Sequence, residues 1–328
     1  MALEIVRPGA ATTVQDRGRP GYYHLGIPTS GAMDAESAEL ANALVGNDSD
    51  AAVLECTLTG PKVRFTEPTR IAVAGAPTTI RGPGGELPTW TAIDVAAGDE
   101  LTFGAAKGGV RYYLAVAGGI DVPVVLGSRS TYALGSLGGH LGRRLERGDV
   151  LAVGNSPEPV PPAGAGVDPA DRPGFGGPVT LRVVVGLYDH RLTAEGKRRL
   201  LESEWTLTPV ADRTGLRYSG PGVEWEPREQ PFGAGSDPSN IVDAGYAVGS
   251  IQIPGGTEPI VLHRDAVSGG GYAMVATVIS ADMDLLARSA PGTVTRFEPV
   301  DMDAALAARA DRRRRIDRIT GALRPGGR

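Results

Sequence analysis

Apolar and polar positions alternate over short stretches along most of this chain, and β-branched runs recur at intervals set by glycine and proline. The runs at 70–75, 110–117, 150–153, 179–186, 205–210, 250–253, 259–262 and 272–279 predict strands. Helical periodicity is scarcer. Asp34 can cap a helix reaching about residue 45, with Ala38, Ala41 and Val45 on one apolar face and a stop at Gly46-Asn47. Thr193 opens a second helix, to about residue 203. Ser280 opens a short third one, with Met283 and Leu286 turned inward and Pro291 beyond its end. The pattern predicts a mainly β protein with a few covering helices, built from small barrels rather than a parallel α/β sheet.

A length of 328 residues exceeds a typical single core, and 47 glycines with 26 prolines favour short strands and tight turns. Prolines alternate with glycine and alanine from Asn155 to Pro178, which reads as a connector. The expected organisation is a first subdomain over 1–154, a linker over 155–178, a second subdomain over 179–300 and a basic helical or disordered tail over 301–328. A faint internal echo links the halves. Asp16-Arg17-Gly18-Arg19 is answered by Asp212-Arg213-Thr214-Gly215-Leu216-Arg217, and the run ending at Phe103 by the run ending at Phe297. Asp16 to Phe103 spans 87 positions and Asp212 to Phe297 spans 85, a near-equal spacing that points to duplication of one unit or to coincidence between two short matches.

The formal charge of −5 is uneven: residues 309–328 carry +6 and the rest −11. A net positive charge confined to one helix end, over a body of net negative charge, argues against a nucleic-acid partner. The run Arg312-Arg313-Arg314-Arg315 reads as a solvated helix end fraying into Arg324-Pro325-Gly326-Gly327. No leader and no membrane-length apolar run is visible, so a cytoplasmic protein is expected. Cys56 is alone in an apolar run and reads as a buried, inert thiol. Phosphate loops, nucleophile elbows and zinc-type histidine or cysteine spacings are missing, and no metal is expected. None of the three lysines stands in a biotinyl Met-Lys-Met setting.

Three constellations carry chemistry. Gln15, Asp16, Arg17, Ser30 and Asp34 crowd a Gly/Pro-rich opening stretch. They serve either a ligand or a turn network in which Asp16 satisfies backbone amides. The stretch from Gly127 to Arg143 offers Arg129, Ser130 and glycine amides to an anion, or is a flexible hairpin with arginines in solvent. In the late part, the strand with Ser250, Ile251, Gln252 and Ile253 turns Gln252 from the core face. The next strand delivers His263 and Asp265 ahead of Gly270, Gly271 and Tyr272. His263 oriented by Asp265 is either a general base or a structural pair.

Read together, the stretch from Pro8-Gly9 to Asp34, Ala41–Asn47, Leu54–Pro61, Gly118–Pro123 with Leu126–Thr131, Ser250–Pro254 and Gly270-Gly271-Tyr272 resemble a known family. It is the one that includes the C-type component of bacterial ATP-dependent 5-oxoprolinase, also described as allophanate hydrolase subunit 2 or biotin-dependent carboxyltransferase. The likeness covers about residues 3–300, in order. It departs at Ser268 and Ala273, where the late loop usually has threonine and proline. It departs again at Asp212-Arg213-Thr214-Gly215, where an Asn-Arg-Met-Gly order is usual. These departures bear on the substrate more than on the fold.

The resemblance implies two cyclophilin-like β-barrel subdomains, and 5-oxoprolinase partners of the B type (allophanate hydrolase subunit 1-like) and of the A type. It implies ATP-driven opening of 5-oxo-L-proline to L-glutamate, with ATP and magnesium in the complex. Site residues then fall on Asp16, His263 and Asp265 for catalysis. Gln15, Arg17, Ser30, Asp34, Arg129, Ser130, Arg213, Gln252, Gly270, Gly271 and Tyr272 fall to substrate or nucleotide. Two other readings stay open. One is a carboxyltransferase component working on urea or another amide with biotin, and the other a non-catalytic antagonist that sequesters the B-type partner.

Overall fold

The computed structural model describes residues 1–324, in two compact units. Unit 1 holds Met1–Arg19, Ser30–Phe175 and the chain from Arg313; unit 2 holds Pro20–Thr29 and Gly176–Arg312. The described residues are mainly β, with four α-helices. None of those helices is long and apolar enough to cross a membrane.

Unit 1 contains β1 (Ala2–Arg7), β2 (Ala11–Gln15), helix α1 (Ala35–Leu44), β3 (Val53–Thr57), β4 (Lys62–Phe65), β5 (Thr69–Gly75) and β6 (Ile80–Gly82). β7 (Gly85–Leu87), β8 (Ile93–Val95), β9 (Glu100–Phe103), β10 (Arg111–Val116) and β11 (Val150–Ala152) complete it. One antiparallel sheet runs β11-β1-β4-β9-β6-β7 and the other β2-β3-β10-β5-β8. Strand β10 is buried along its whole length. Its alternation sends Tyr112, Leu114 and Val116 to a core with Leu3, Phe65 and Ile71. Tyr113 and Ala115 go to the opposite face, where Leu40, Ala41 and Leu44 of α1 pack on Ala72 and Ala74. Small side chains there let the helix backbone lie close to the sheet. Asp34 caps α1 as expected, its carboxylate accepting from the Ser37 amide at 3.1 Å. Cys56 is fully buried, and burial pushes its thiol well up from its ordinary pKa.

Unit 2 contains β12 (Val179–Val185), α2 (Ala194–Glu202), β13 (Trp205–Ala211), β14 (Gly215–Ser219), β15 (Asn240–Gly245), β16 (Ser250–Gln252) and β17 (Ile260–Leu262). β18 (Gly269–Tyr272), β19 (Met274–Val278), α3 (Met283–Arg288), β20 (Val294–Pro299) and α4 (Met302–Leu323) follow, α4 passing into unit 1 at Arg313. Seven strands close a barrel in the order β12-β19-β16-β17-β14-β13-β20, through a parallel pairing of β12 with β20. Leu181, Val183, Leu207, Ile251, Val261 and Phe297 are buried, and Tyr218 meets Phe297 edge to face at 5.7 Å. β15 and β18 form a separate two-stranded sheet.

Two expectations change. Residues 155–175 are attached to unit 1 rather than acting as a free connector. Ala92 donates to Ala165 O at 2.8 Å, Val167 donates to Trp90 O at 3.0 Å, and the Val167 side chain is buried beneath α1. Prolines spend no backbone donor there; the Gly164 and Val167 amides reach Ala92 O and Trp90 O, while those of Ala165, Asp171 and Arg172 bond inside the segment. The arginine-rich end is not a solvated tail either. Arg315 pairs with Glu36, Arg313 with Glu39 at 3.0 Å, and Arg318 with Asp171. Glu36 and Glu39 are nearly buried on α1, so the acidic body and the basic run neutralise each other locally. The fraying expected over Arg324-Pro325-Gly326-Gly327 lies, from Pro325 on, outside the described residues.

Candidate functional site

In unit 1 the site grows from the end of β2. Gln15 is fully buried; its Nε2 donates to Thr13 Oγ1 at 3.0 Å and to Thr131 O at 3.1 Å, and its Oε1 accepts the Gly31 amide at 3.2 Å. Asp16 follows, and its carboxylate gathers four donors: the Gly18 amide at 2.7 Å, Ser128 Oγ at 2.6 Å, the Arg129 amide at 2.5 Å and Ser130 Oγ. The Asp16 amide in turn donates to Ser130 Oγ at 2.9 Å. Sequence positions some 110 apart are thereby tied into one loop pair. A carboxylate saturated this way holds backbone in place and has little accepting capacity left for a substrate proton. The geometry gives Asp16 the turn-network role.

Glycine makes this closeness possible. A Cβ on Gly138 would lie 2.2 Å from Ser130 O and 2.5 Å from Arg19 Nη2, whereas the fully buried Arg19 guanidinium donates to Ser130 O. Ser30, at φ 51°, is fully buried beside Gly31 at φ 91°. Behind them lies a network that sequence inspection missed. Glu55 Oε2 accepts the Met33 amide and Tyr113 OH, each at 2.9 Å, and Tyr113 OH accepts the Asp34 amide at 2.8 Å. Arg111 approaches Glu55 at 3.8 Å. Burial and the charges of Glu55 and Asp34 push the Tyr113 phenol far up, so it stays a neutral donor. The only signal in the sequence was a glutamate inside an otherwise apolar strand.

Arg17 and Arg129 are the guanidiniums of unit 1's candidate set that meet solvent. Arg17 is half exposed and reaches Glu39 at 3.5 Å. Arg129 donates to Val122 O at 3.0 Å and Asp121 at 3.1 Å, and it lines a polar cavity of about 320 Å³ with Asn47, Asp48, Asp50 and Asp121.

In unit 2, Arg213 clamps Asp265 bidentately, at 2.7 and 3.2 Å, and both are largely buried. The Asp265 amide also donates to Arg213 O at 2.9 Å. His263 is fully buried. Its Nδ1 accepts the Arg264 amide at 2.9 Å, and its Nε2 lies 3.3 Å from Met283 O, so that nitrogen carries the proton. A ring with its Nδ1 lone pair engaged in this way favours the structural one of the two readings. The triple glycine also has a packing cause. Tyr246 OH donates to Tyr272 O at 2.9 Å and accepts the Tyr272 amide at 2.7 Å. A Cβ on Gly270 would stand 3.1 Å from the Tyr246 ring. The bare backbone of Gly270 receives that ring, while Gly271 lies near Ile241 O and Tyr272 is partly exposed. Gln252 is 5% exposed on β16, so the face it turns to is covered as well.

The echo between the halves is structural. Asp16 Oδ1 accepts the Gly18 amide and Asp212 Oδ1 the Thr214 amide, both at 2.7 Å, which is the same aspartate turn. Gly98 and Gly292, at φ 85° and 90°, make equivalent turns into β9 and β20. What differs is reach: Asp16 goes on to bind the 128–130 loop, whereas Asp212 is exposed.

Comparison with known proteins agrees with this architecture. The family model described as carboxyltransferase domain, subdomain A and B, matches residues 25–299. Urea amidolyase of Lachancea kluyveri is 37% identical over 316 residues, spanning 93% of this chain and 17% of that protein. The C subunit of 5-oxoprolinase from Escherichia coli (strain K12) is 34% identical over 326 residues, spanning 98% of each. The crystal structure of the K. lactis urea amidolyase superposes with a TM-score of 0.90 at 34% identity, over 99% of this chain and 20% of that one. The chain therefore covers only a small part of the urea amidolyases it resembles.

Proposed function

The chain belongs to the carboxyltransferase-domain family spanning subdomains A and B, and from that membership we propose that it acts as the C-type component of an ATP-dependent 5-oxoprolinase. Its partners would be the A-type and B-type components of that enzyme. The reaction is the opening of 5-oxo-L-proline to L-glutamate. What supports the reading is the likeness to the E. coli 5-oxoprolinase protein, which runs over 98% of both sequences. A lactam carbonyl is a poor electrophile, and the charge that develops on its oxygen calls for cationic donors. Arg17 and Arg129 in unit 1 are the groups of this chain we assign to that task.

The glycines at 269–271 lie against Tyr246, Ala244 and Ile241 and are taken up by packing. No step through the nucleotide is therefore assigned to this chain. The test is reconstitution: with its A-type and B-type partners and ATP, the chain should release glutamate and phosphate from 5-oxoproline. A complete set that binds 5-oxoproline without turning it over defeats the proposal.

The likeness to urea amidolyase supports a second reading, a carboxyltransferase working on urea or a related amide with a biotinylated carrier. Avidin separates the two: it abolishes turnover under the second reading and leaves 5-oxoprolinase activity untouched. The sequestering role, in which the chain holds a B-type partner without catalysis, predicts complex formation that survives Arg129→Ala and Arg213→Ala with no turnover in any combination.

A further inference from the structure

Unit 2 holds a cavity of about 660 Å³ that none of the candidate residues above explains. It lies between the outer face of the barrel and the first half of α4. On β12, Leu181 and Val183 are buried while Val184 and Val185 take part in the cavity wall. Ala305 of α4, which packs with Ile279 and Val184, lines it together with them. Met302, Ala305, Leu306 and Arg309 recur at helical spacing, so one face of α4 lines the space. Leu187, Met302 and Leu306 form an apolar rim, with exposures of 70%, 57% and 43%. Large apolar groups persist at a water-facing cavity mouth when something apolar enters it.

The charge at the wall selects the occupant. Among the described residues, Arg264 and Arg309 are the charged groups that line the cavity; no carboxylate does. Arg309 makes no hydrogen bond or ion pair among the described residues and stands exposed at the mouth. Thr29, Thr277 and Ser280 add hydroxyls. The volume falls within the roughly 300–1,000 Å³ of small-molecule sites. It is oversized and too apolar for a compact polar lactam. We propose that this cavity binds an amphipathic carboxylate, its alkyl body between β12 and α4 and its carboxylate at Arg309. The proposal does not rest on the 5-oxoproline reading.

The test is calorimetric titration of the purified chain with dodecanoate below its micellar concentration. Dodecan-1-ol and dodecyltrimethylammonium serve as controls. Saturable one-to-one binding of dodecanoate is expected, weakening about fourfold for each methylene removed from the chain. Arg309→Glu should weaken dodecanoate at least tenfold and improve the ammonium probe. Leu306→Trp, which fills the mouth, should abolish both, with an unchanged far-UV circular dichroism spectrum. Equal affinity for dodecan-1-ol and dodecanoate would overturn the anion requirement. Unaltered binding to a folded Leu306→Trp variant would overturn the location, and no binding of any probe would overturn the site. Reconstituted 5-oxoproline turnover, measured separately, should not change in Leu306→Trp, so the two proposals fail independently.

Discussion

Replacing Asp16 with alanine removes the acceptor shared by four donors from two loops. The Ser128 and Ser130 hydroxyls can rotate to other acceptors, but the Gly18 and Arg129 amides are fixed by the backbone. A hydrogen bond to a charged group contributes about 1.5–3 kcal/mol, so two stranded amides cost roughly 3–5 kcal/mol once partial solvation of the loops is allowed for. Because the loss is local, hydrogen exchange followed by mass spectrometry is the right assay. Peptides covering 12–19 and 127–131 should exchange roughly a hundred- to several-thousandfold faster in Asp16→Ala, with unit 2 peptides unchanged. Asp16→Asn keeps one oxygen but turns an amide group toward a donor, and should fall about midway. Unchanged exchange in the alanine variant, together with lost turnover in the reconstituted complex, would refute the clamp and return Asp16 to the chemistry.

Other outcomes follow from charge placement. Arg143, at 2.8 Å, holds the Asp149 carboxyl down to about 2 from its ordinary 3.8. A depressed carboxyl stabilises the fold above about pH 4 and loses that contribution as pH falls through 2. Asp149→Asn should therefore lower the urea midpoint at pH 7, by a margin that closes as the titration series approaches pH 2. Arg315→Ala takes the cation from Glu36, which is 3% exposed, and should destabilise unit 1 by about 2 kcal/mol in denaturant; a change below about 0.5 kcal/mol would show that the helix end is held by Ile319 packing instead. Arg191 is 4% exposed with Nε and Nη1 unbonded; desolvation first, then Arg228, lowers its pKa. Arg191→Met should keep the melting temperature or raise it, and a loss above about 2 kcal/mol would mean that the Pro238 O bond and Trp225 stacking outweigh the desolvation cost.

Much of the fold was legible because local rules and tertiary packing agree. The Asp34 and Thr193 caps, the inward Met283 and Leu286, and strands at 70–75 and 205–210 follow from residue type and period alone. The stretch 155–175 was not legible. Its low apolar content predicts a connector, and its order comes from amides that meet the partner edge at Trp90 and Ala92. The basic run misled for the same reason. Its acids lie some 270 positions earlier on α1, and a net-charge count of the run alone cannot see them.

By itself the sequence determined the mainly β class, the helix starts, the repeated aspartate turn and the family, since each rests on residue type at short range. Only the tertiary structure decided what the polar clusters do. Asp16 lies some 110 residues from the loop that saturates it, and His263 lies 20 from the carbonyl that accepts from its Nε2 and so leaves Nδ1 as the acceptor. Whether a carboxylate or an imidazole has a lone pair to spare depends on which donors and acceptors the fold brings to it. That is a property of contacts across the chain.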